Sequence, residues 1–290
     1  MPDVSAGFRF VKMHGAGNDY VYVDASAETL PSDLPALARR VSNRHFGIGG
    51  DGLIVVHPPT KPDEADVRMQ MFNIDGSEGS MCGNGIRCVA KFAVDEGLVQ
   101  ADATRLRVDT ASGIKEIDLI REAGEVAGAT VDMGRPGFGV EAVGADPTKL
   151  AVDETHVTPV GLARQAVLVS TGNPHAVVFV GDLDDVDVPS EGPAWSGHEA
   201  FGGGINAHFA QVLSRNHLRV IHWERGSGPT LACGTGACAT LAAAVRLGLA
   251  DRSARLDVPG GRLDIRWDEG SDHLFMSGPA ETTFHGTWAG

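Results

Sequence analysis

Three things are scarce in this chain of 290 residues: cysteine, positive charge and uninterrupted apolar sequence. Its four cysteines, Cys82, Cys88, Cys233 and Cys238, are too few for a disulfide framework. Neither neighbouring pair has CxxC spacing, and no histidine lies close enough in sequence to complete a familiar zinc motif, so no metal site is expected. Lys and Arg number 24 against 38 Asp and Glu, a formal charge of -14. Phosphate binding needs clustered cations to release counterions, so a nucleic-acid partner is not expected. No apolar run approaches the roughly 20 residues of a membrane helix. The opening MPDVSAGFRFVKMHG lacks the basic and apolar regions of a secretory leader. The expectation is a cytoplasmic protein without a membrane partner, long enough for two ordinary domains.

What the chain does contain is one unit written twice. VKMHGAGNDYVYV matches VLVSTGNPHAVVFV, aligning Gly17-Asn18 with Gly172-Asn173, and both read as strand, Gly-Asn turn, strand. FGIGGDGLIVV matches FGGGINAHFAQV, aligning Phe46-Gly47 with Phe201-Gly202, and both matches have an offset of 155 residues. CGNGIRCVAKFAVDEGL then matches CGTGACATLAAAVRLGL, placing Cys82 opposite Cys233 at an offset of 151, so four residues are lost in between. Each of these segments opens on glycines and continues at helical spacing, through Val89, Phe92 and Ala93 or Leu241, Ala244 and Val245, to a stop at Gly97 or Gly248. TRLRVDTASGIKEIDL and SARLDVPGGRLDI form a fourth match, each a hairpin with alternating apolar residues.

The rest is mostly strand-like, as in VRMQMF, QAVLV, HLRVIHW and HLFMS, with one further helix at LPALARRV capped by Ser32 or Asp33. HPPTKPDEAD and GDLDDVDVPSEGP read as surface loops. The expected fold is α+β: two pseudo-symmetric domains, each a curved, mainly antiparallel sheet or barrel around a central helix. A pseudo-twofold axis would bring equivalent surfaces together.

A cysteine at a helix start meets the positive end of the dipole and several unpaired backbone N–H groups, which favour its thiolate. Cys82 and Cys233 both stand there. The glycines after them let a carboxylate approach the backbone of Gly83, Asn84, Gly234 and Thr235. Two such thiols facing one small molecule from opposite sides could remove a proton from one face of a carbon and return one to the other. Cys88 and Cys238, unmatched in the repeat, read as packing. A redox pair between Cys82 and Cys233 lacks CxxC spacing. GIGGDG satisfies a dinucleotide fingerprint, yet it leads into a strand instead of a helix. His175, matched to Tyr20, reads as a site wall or a turn residue.

Four segments, HGAGNDYVYVD, FNIDGSEGSMCGNGIRC, STGNPHAVVFV and HWERGSGPTLACGTGACA, resemble the diaminopimelate epimerases along nearly the whole chain. Proline and hydroxyproline racemases typically carry MCGH at the first motif, where this chain has Asn84. The resemblance implies Cys82 and Cys233 as the acid–base pair. It also implies substrate contacts from Asn18, Asn73, Gly83, Asn84, Asn173, Asn206, Glu224, Arg225, Gly234 and Thr235. Arg225 suits a carboxylate and Glu224 an ammonium. In that family the last strand returns to the first domain, which implies domains at 1–124 with 280–290 and at 125–279. It further implies conversion of LL- to meso-diaminopimelate without cofactor or metal, a small-molecule amino acid as partner, a role in lysine and peptidoglycan precursor synthesis, and a homodimer as candidate assembly. The alternatives are another two-cysteine racemase, acting on proline, hydroxyproline or histidine, or a thiol-disulfide oxidoreductase. Two positions depart from the family: Gly52, where many relatives carry Gln, and INAHF, which replaces a Val-Asn-x-Glu-Phe pattern through His208.

Overall fold

The computed structural model describes residues 7–290, and the leader-free reading of residues 1–6 lies outside them. The chain divides into two units, one running to Val131 and resuming over Gly278–Gly290, the other Asp132–Ser277. The first boundary thus falls at 131/132 instead of 124/125, and the return at 278 instead of 280. The reason is hydrogen bonding across a hairpin. The strand after residue 124 pairs back onto its predecessor as far as Ile117↔Val131, so it completes the first sheet.

The first unit runs β1 (Phe8–Gly15), β2 (Asn18–Asp24), α1 (Leu34–Ser42), β3 (Gly52–His57), β4 (Val67–Asn73), β5 (Glu78–Gly79), α2 (Gly83–Asp95), β6 (Arg105–Thr110), β7 (Gly113–Glu122) and β8 (Glu125–Gly134). The second contains β9 (Gly137–Phe138), α3 (Val140–Val143), β10 (Leu150–Asp153), β11 (His156–Pro159), β12 (Val167–Ser170), β13 (Pro174–Val180), α4 (Val188–Ser196), β14 (Asn206–Ser214), β15 (His217–Glu224), β16 (Gly228–Thr230), α5 (Gly234–Arg246), β17 (Ser253–Val258), β18 (Gly261–Trp267) and β19 (Leu274–Pro279). Finally β20 (Glu281–Trp288) pairs antiparallel with β1, Phe8 opposite Trp288, and so belongs to the first unit.

Strand order in the first unit is β20-β1-β2-β3-β4-β6-β7-β8, antiparallel except for two parallel pairs, β2/β3 and β4/β6. In the second it is β9-β12-β13-β14-β15-β17-β18-β19, with parallel pairs in the same places, β13/β14 and β15/β17. The repeat seen in the sequence is therefore a repeat of topology. The change of offset has a physical location: the proline-rich loop between β3 and β4 is replaced by the tight turn Arg215-Asn216 between β14 and β15.

Each sheet holds one buried helix. In α5 nearly every side chain from Ala237 to Ala244 is buried, and the run of alanines lets the helix lie close to the strands around it. A helix apolar on all sides has no face to offer water, so burial is its stable state. In α2 the buried face is Ile86, Cys88, Val89, Phe92 and Ala93, together with Arg87. Burial pushes the Cys88 thiol up to about 11, consistent with an inert packing role.

The acidic segment GDLDDVDVPSEGP is not a loop. It carries a 3-10 turn at Leu183–Asp185 and then α4, whose Asp187 N-cap accepts from Ser190 N and which has proline in its first turn. Helix α1 is built alike, with Asp33 as N-cap and Pro35 in its first turn. The two are equivalent elements of the repeat, and Asp-x-Pro at 33–35 and 187–189 was the signal for it. Trp195 of α4 is buried against Leu168, Phe201 and Phe209 in the core of the second unit. No helix of the described residues is long and apolar enough to cross a membrane.

Replacing Asp187 by Ala removes the N-cap acceptor. The expected loss is about 1 kcal/mol of unfolding free energy with an unchanged urea m-value, measured by equilibrium denaturation of the second unit's signal.

Candidate active site

In the first unit Cys82 is the N-cap of α2, and its extended backbone (φ -126°, ψ 120°) turns the sulfur back over the first turn. The sulfur accepts from Gly85 N at 3.4 Å and donates to Asn18 Oδ1 at 3.2 Å. Asn18 sits where the β1–β2 turn closes, a turn that needs positive φ at Ala16 (53°) and Gly17 (83°). Its Nδ2 donates to Asp51 Oδ2 at 2.7 Å, and Asp19 N donates to the same oxygen at 3.1 Å. Arg44 binds Asp51 at 2.9 Å and Asp19 at 2.7 Å, and Lys12 meets Asp19 at 2.5 Å. Burial and the neighbouring Asp19 raise the Asp51 carboxyl. Burial also lowers the Lys12 ammonium, whereas Arg44 and Lys12 hold Asp19 low despite its burial. Tyr20, 4% exposed, is raised well above its ordinary value by burial and then by Cys82, to which its hydroxyl is hydrogen-bonded.

Gly83 and Asn84 form the first turn of α2. The Asn84 side chain is buried, with Oδ1 accepting from Arg87 Nη1 at 3.0 Å. Arg87 also donates to Gly83 O and Pro279 O, tying the helix start to the returning segment of the same unit. Asn73 lies at the end of β4, opposite Gly52, and its Nδ2 donates to Ser77 Oγ at 3.0 Å. Gly52 faces both Tyr20 and Asn73 in register, so the departure at this position lies in the strand row that supports Cys82.

In the second unit Cys233 is the N-cap of α5, with φ -121° and ψ 106°, followed by Gly234 and Thr235. Its sulfur is 3.5 Å from Thr235 Oγ1 and the residue is only 3% exposed. Burial, and then the carboxylate of Glu224, raise its thiol well above the ordinary value. Desolvation and an adjacent anion both oppose ionisation, against the helix dipole that favours it. Glu224 also accepts from Thr230 Oγ1 at 2.6 Å, and its carboxylate stands beside the cysteine.

Asn173 lies in the β12–β13 turn, where Gly172 has φ 95°, and the hydroxyl of Thr171 ties this turn to Thr235 O at 3.2 Å. Asn206 staples backbone: its Nδ2 donates to Pro174 O and its Oδ1 accepts from Arg225 N. The Arg225 guanidinium is exposed and donates to Gly203 O and Gly204 O.

His175 is not a turn residue. It is buried in β13 and opens a chain of three buried histidines with His208 and His222, a connection that residue order does not signal. Asp51, also missed, aligns with Asn206 at the offset of 155, and the repeat could have nominated it. Arg44 and Lys12 carried no such signal.

Each unit thus presents a cysteine at a buried helix start, flanked by an asparagine held in a Gly-Asn turn. That arrangement, on this repeated sheet-and-helix unit, defines the class: a duplicated α+β fold shared with solved structures of the PhzF and proline racemase kinds. A phenazine biosynthesis protein of the PhzF family from Bacillus anthracis is similar over 97% of this chain and 98% of its own, with TM-score 0.71 at 17% identity. A probable proline racemase from Agrobacterium radiobacter is similar over 96% and 92%, with TM-score 0.68 at 16% identity. At these identities the likeness concerns the fold alone.

The chain belongs to the diaminopimelate epimerase family, whose model matches residues 10–139 and 167–283. A diaminopimelate epimerase of Desulfovibrio desulfuricans is 44% identical, covering 98% of this chain and 99% of the relative. One from Moorella thermoacetica is 46% identical, covering 96% and 98%.

The three histidines make the fold acid-sensitive. Burial lowers His175 and His222 to about 3 and His208 well below its ordinary 6.5. Between about pH 6.5 and 3 the unfolded chain therefore binds protons that the folded chain refuses, so stability falls as pH falls. The slope reaches about 1.4 kcal/mol per pH unit for each histidine, about 4 for the three. Urea unfolding between pH 7 and pH 4 measures it, and a flat profile would contradict neutral buried rings.

Proposed function

We propose that this chain interconverts LL- and meso-diaminopimelate by moving a proton between Cys82 and Cys233. The observation that carries the reading is family membership joined to the equivalent placement of the two cysteines, each the N-cap of the buried helix of its unit. Inversion requires one group on each face of the α-carbon. One cysteine, as thiolate, takes the α-proton onto sulfur. The other, as thiol, gives its proton to the opposite face, and a new C–H bond replaces the broken one. The protonation states of the pair are then exchanged, and the reverse reaction restores them.

An α-proton beside a carboxylate is very weakly acidic, so the negative charge that develops on the carboxylate oxygens needs fixed donors. Backbone N–H groups of Gly83, Asn84, Gly234 and Thr235 supply them in this reading, at the positive ends of the two helices. In this reading Glu224, beside Cys233, receives the thiol proton when Cys233 acts as base. In the first unit, Asn18 accepts from the Cys82 thiol and keeps its sulfur aimed. Asn73, Asn173, Asn206 and Arg225 are assigned to the remaining carboxylate and ammonium groups of the substrate, which carries one of each at either end. The reading includes a cytoplasmic location, a role in lysine and peptidoglycan precursor synthesis, and a homodimer. It calls for no pyridoxal phosphate.

The reduced protein, incubated with diaminopimelate in D2O, is expected to incorporate α-deuterium visible by NMR, and to leave proline unexchanged. Absence of exchange with diaminopimelate would overturn the proposal. Cys82→Ala and Cys233→Ala should each lower epimerisation by about 10³-fold or more, and full activity in either would refute the pair.

A further inference from the structure

Three imidazoles of the second unit are joined end to end, and proton transfer between the cysteines uses none of them. His175 Nε2 is 2.8 Å from Asn173 Oδ1, His175 Nδ1 is 2.8 Å from His208 Nε2, and His208 Nδ1 is 2.9 Å from His222 Nδ1. The last nitrogen, His222 Nε2, is buried and has no partner among the described residues. The chain runs directly under the first turn of α5. A Cβ on Gly236 would come within 2.4 Å of the His208 ring, so only glycine fits there. The nitrogens are spent on one another, and among the described residues no group of three or more His, Cys, Asp or Glu could hold a metal.

A neutral imidazole has one donor and one acceptor, so fixing the proton on one ring fixes it on all three. Two arrangements exist. In one, His222 Nδ1–H donates to His208 Nδ1, His208 Nε2–H donates to His175 Nδ1, and His175 Nε2–H donates to Asn173 Oδ1. The bare end at His222 is then a lone pair. In the other every bond reverses, and His222 Nε2 carries a buried N–H with nothing to receive it. An orphaned buried donor is the rarer and costlier defect. The first arrangement therefore prevails, and it matches the carbonyl oxygen that Asn173 turns to His175. Complete burial leaves no charged form to compete with it.

We propose that His208 and His222 are positioning residues that lock the Asn173 carboxamide, through His175, with its amide nitrogen presented as a donor to a carboxylate of the substrate. This rests on the epimerase reading and adds the direction of one amide to it. The equivalent residue of the first unit is set the other way. Asn18 gives its nitrogen to Asp51 and offers its oxygen to the Cys82 thiol. The repeat thus presents one amide as acceptor and the other as donor, and different second residues, a carboxylate and a histidine chain, decide which.

The test has one arm independent of activity. In protein labelled with 15N-histidine, long-range 1H–15N spectra at pH 8 should show His175 and His208 as Nε2–H tautomers and His222 as Nδ1–H. His175 as Nδ1–H, or any of the three as imidazolium, overturns the proposal whether or not the protein is an epimerase. The kinetic arm uses diaminopimelate. Asn173→Asp, which keeps an acceptor for His175 but puts an anion where the donor stood, should raise KM at least a hundredfold. An unchanged or lowered KM overturns the assigned direction. His222→Phe should raise KM about tenfold with kcat changed less than threefold, because the lost contact serves ground and transition states alike. A merely structural role would instead lower kcat with the folded fraction and leave KM alone. Loss of α-deuterium exchange in the wild type would sink the epimerase reading and leave the tautomer result standing.

Discussion

A helix that begins inside a sheet has to account for its first backbone N–H groups, because water is not there to take them. The constraint arises twice, at α2 and at α5, and a side-chain cap hydrogen bond answers it at α2 alone. A cysteine serves as N-cap at both. At Cys82 the sulfur receives Gly85 N and offers its own hydrogen to Asn18. The glycines next in sequence keep the space over the helix start open. A cap with this chemistry is also a titratable group held at a fixed point, so the same interaction that ends a helix makes a site.

Equivalent positions were then filled differently. Asn73 and Glu224 end corresponding strands, and in the second unit that residue is an anion beside the cysteine. Behind the paired asparagines, an ion network of Asp51, Arg44, Asp19 and Lys12 stands in one unit and three neutral histidines in the other. Both devices hold an amide, but with opposite poles outward. A symmetric scaffold thereby carries groups that are not interchangeable, as expected of a catalyst whose substrate has two unlike hands.

Much of this was legible from residue order. The repeat, the Gly-Asn turns, the helix stops at Gly97 and Gly248 and the two hairpins all follow from local pattern, since turn chemistry and apolar spacing act over a few residues. Helix α4 was missed because seven residues of its neighbourhood, from Gly181 to Asp187, are dominated by aspartate and glycine, and propensity there points to a loop. A proline in its first turn and the burial of Trp195 decide for helix. The boundary at 131/132 was missed because nothing local in Glu125–Val131 says to which sheet the strand will pair.

The sequence alone determined the fold class, the duplicated unit and the two cysteines, because each depends on residue type and spacing along the chain. Only the tertiary structure decided the burial of Cys233 beside Glu224, the network behind Asn18 and the histidine chain behind Asn173. Those depend on burial and on partners far apart in sequence, such as Asn18 with Asp51 or His175 with His208 and His222, and no local pattern encodes how much water such a group has lost.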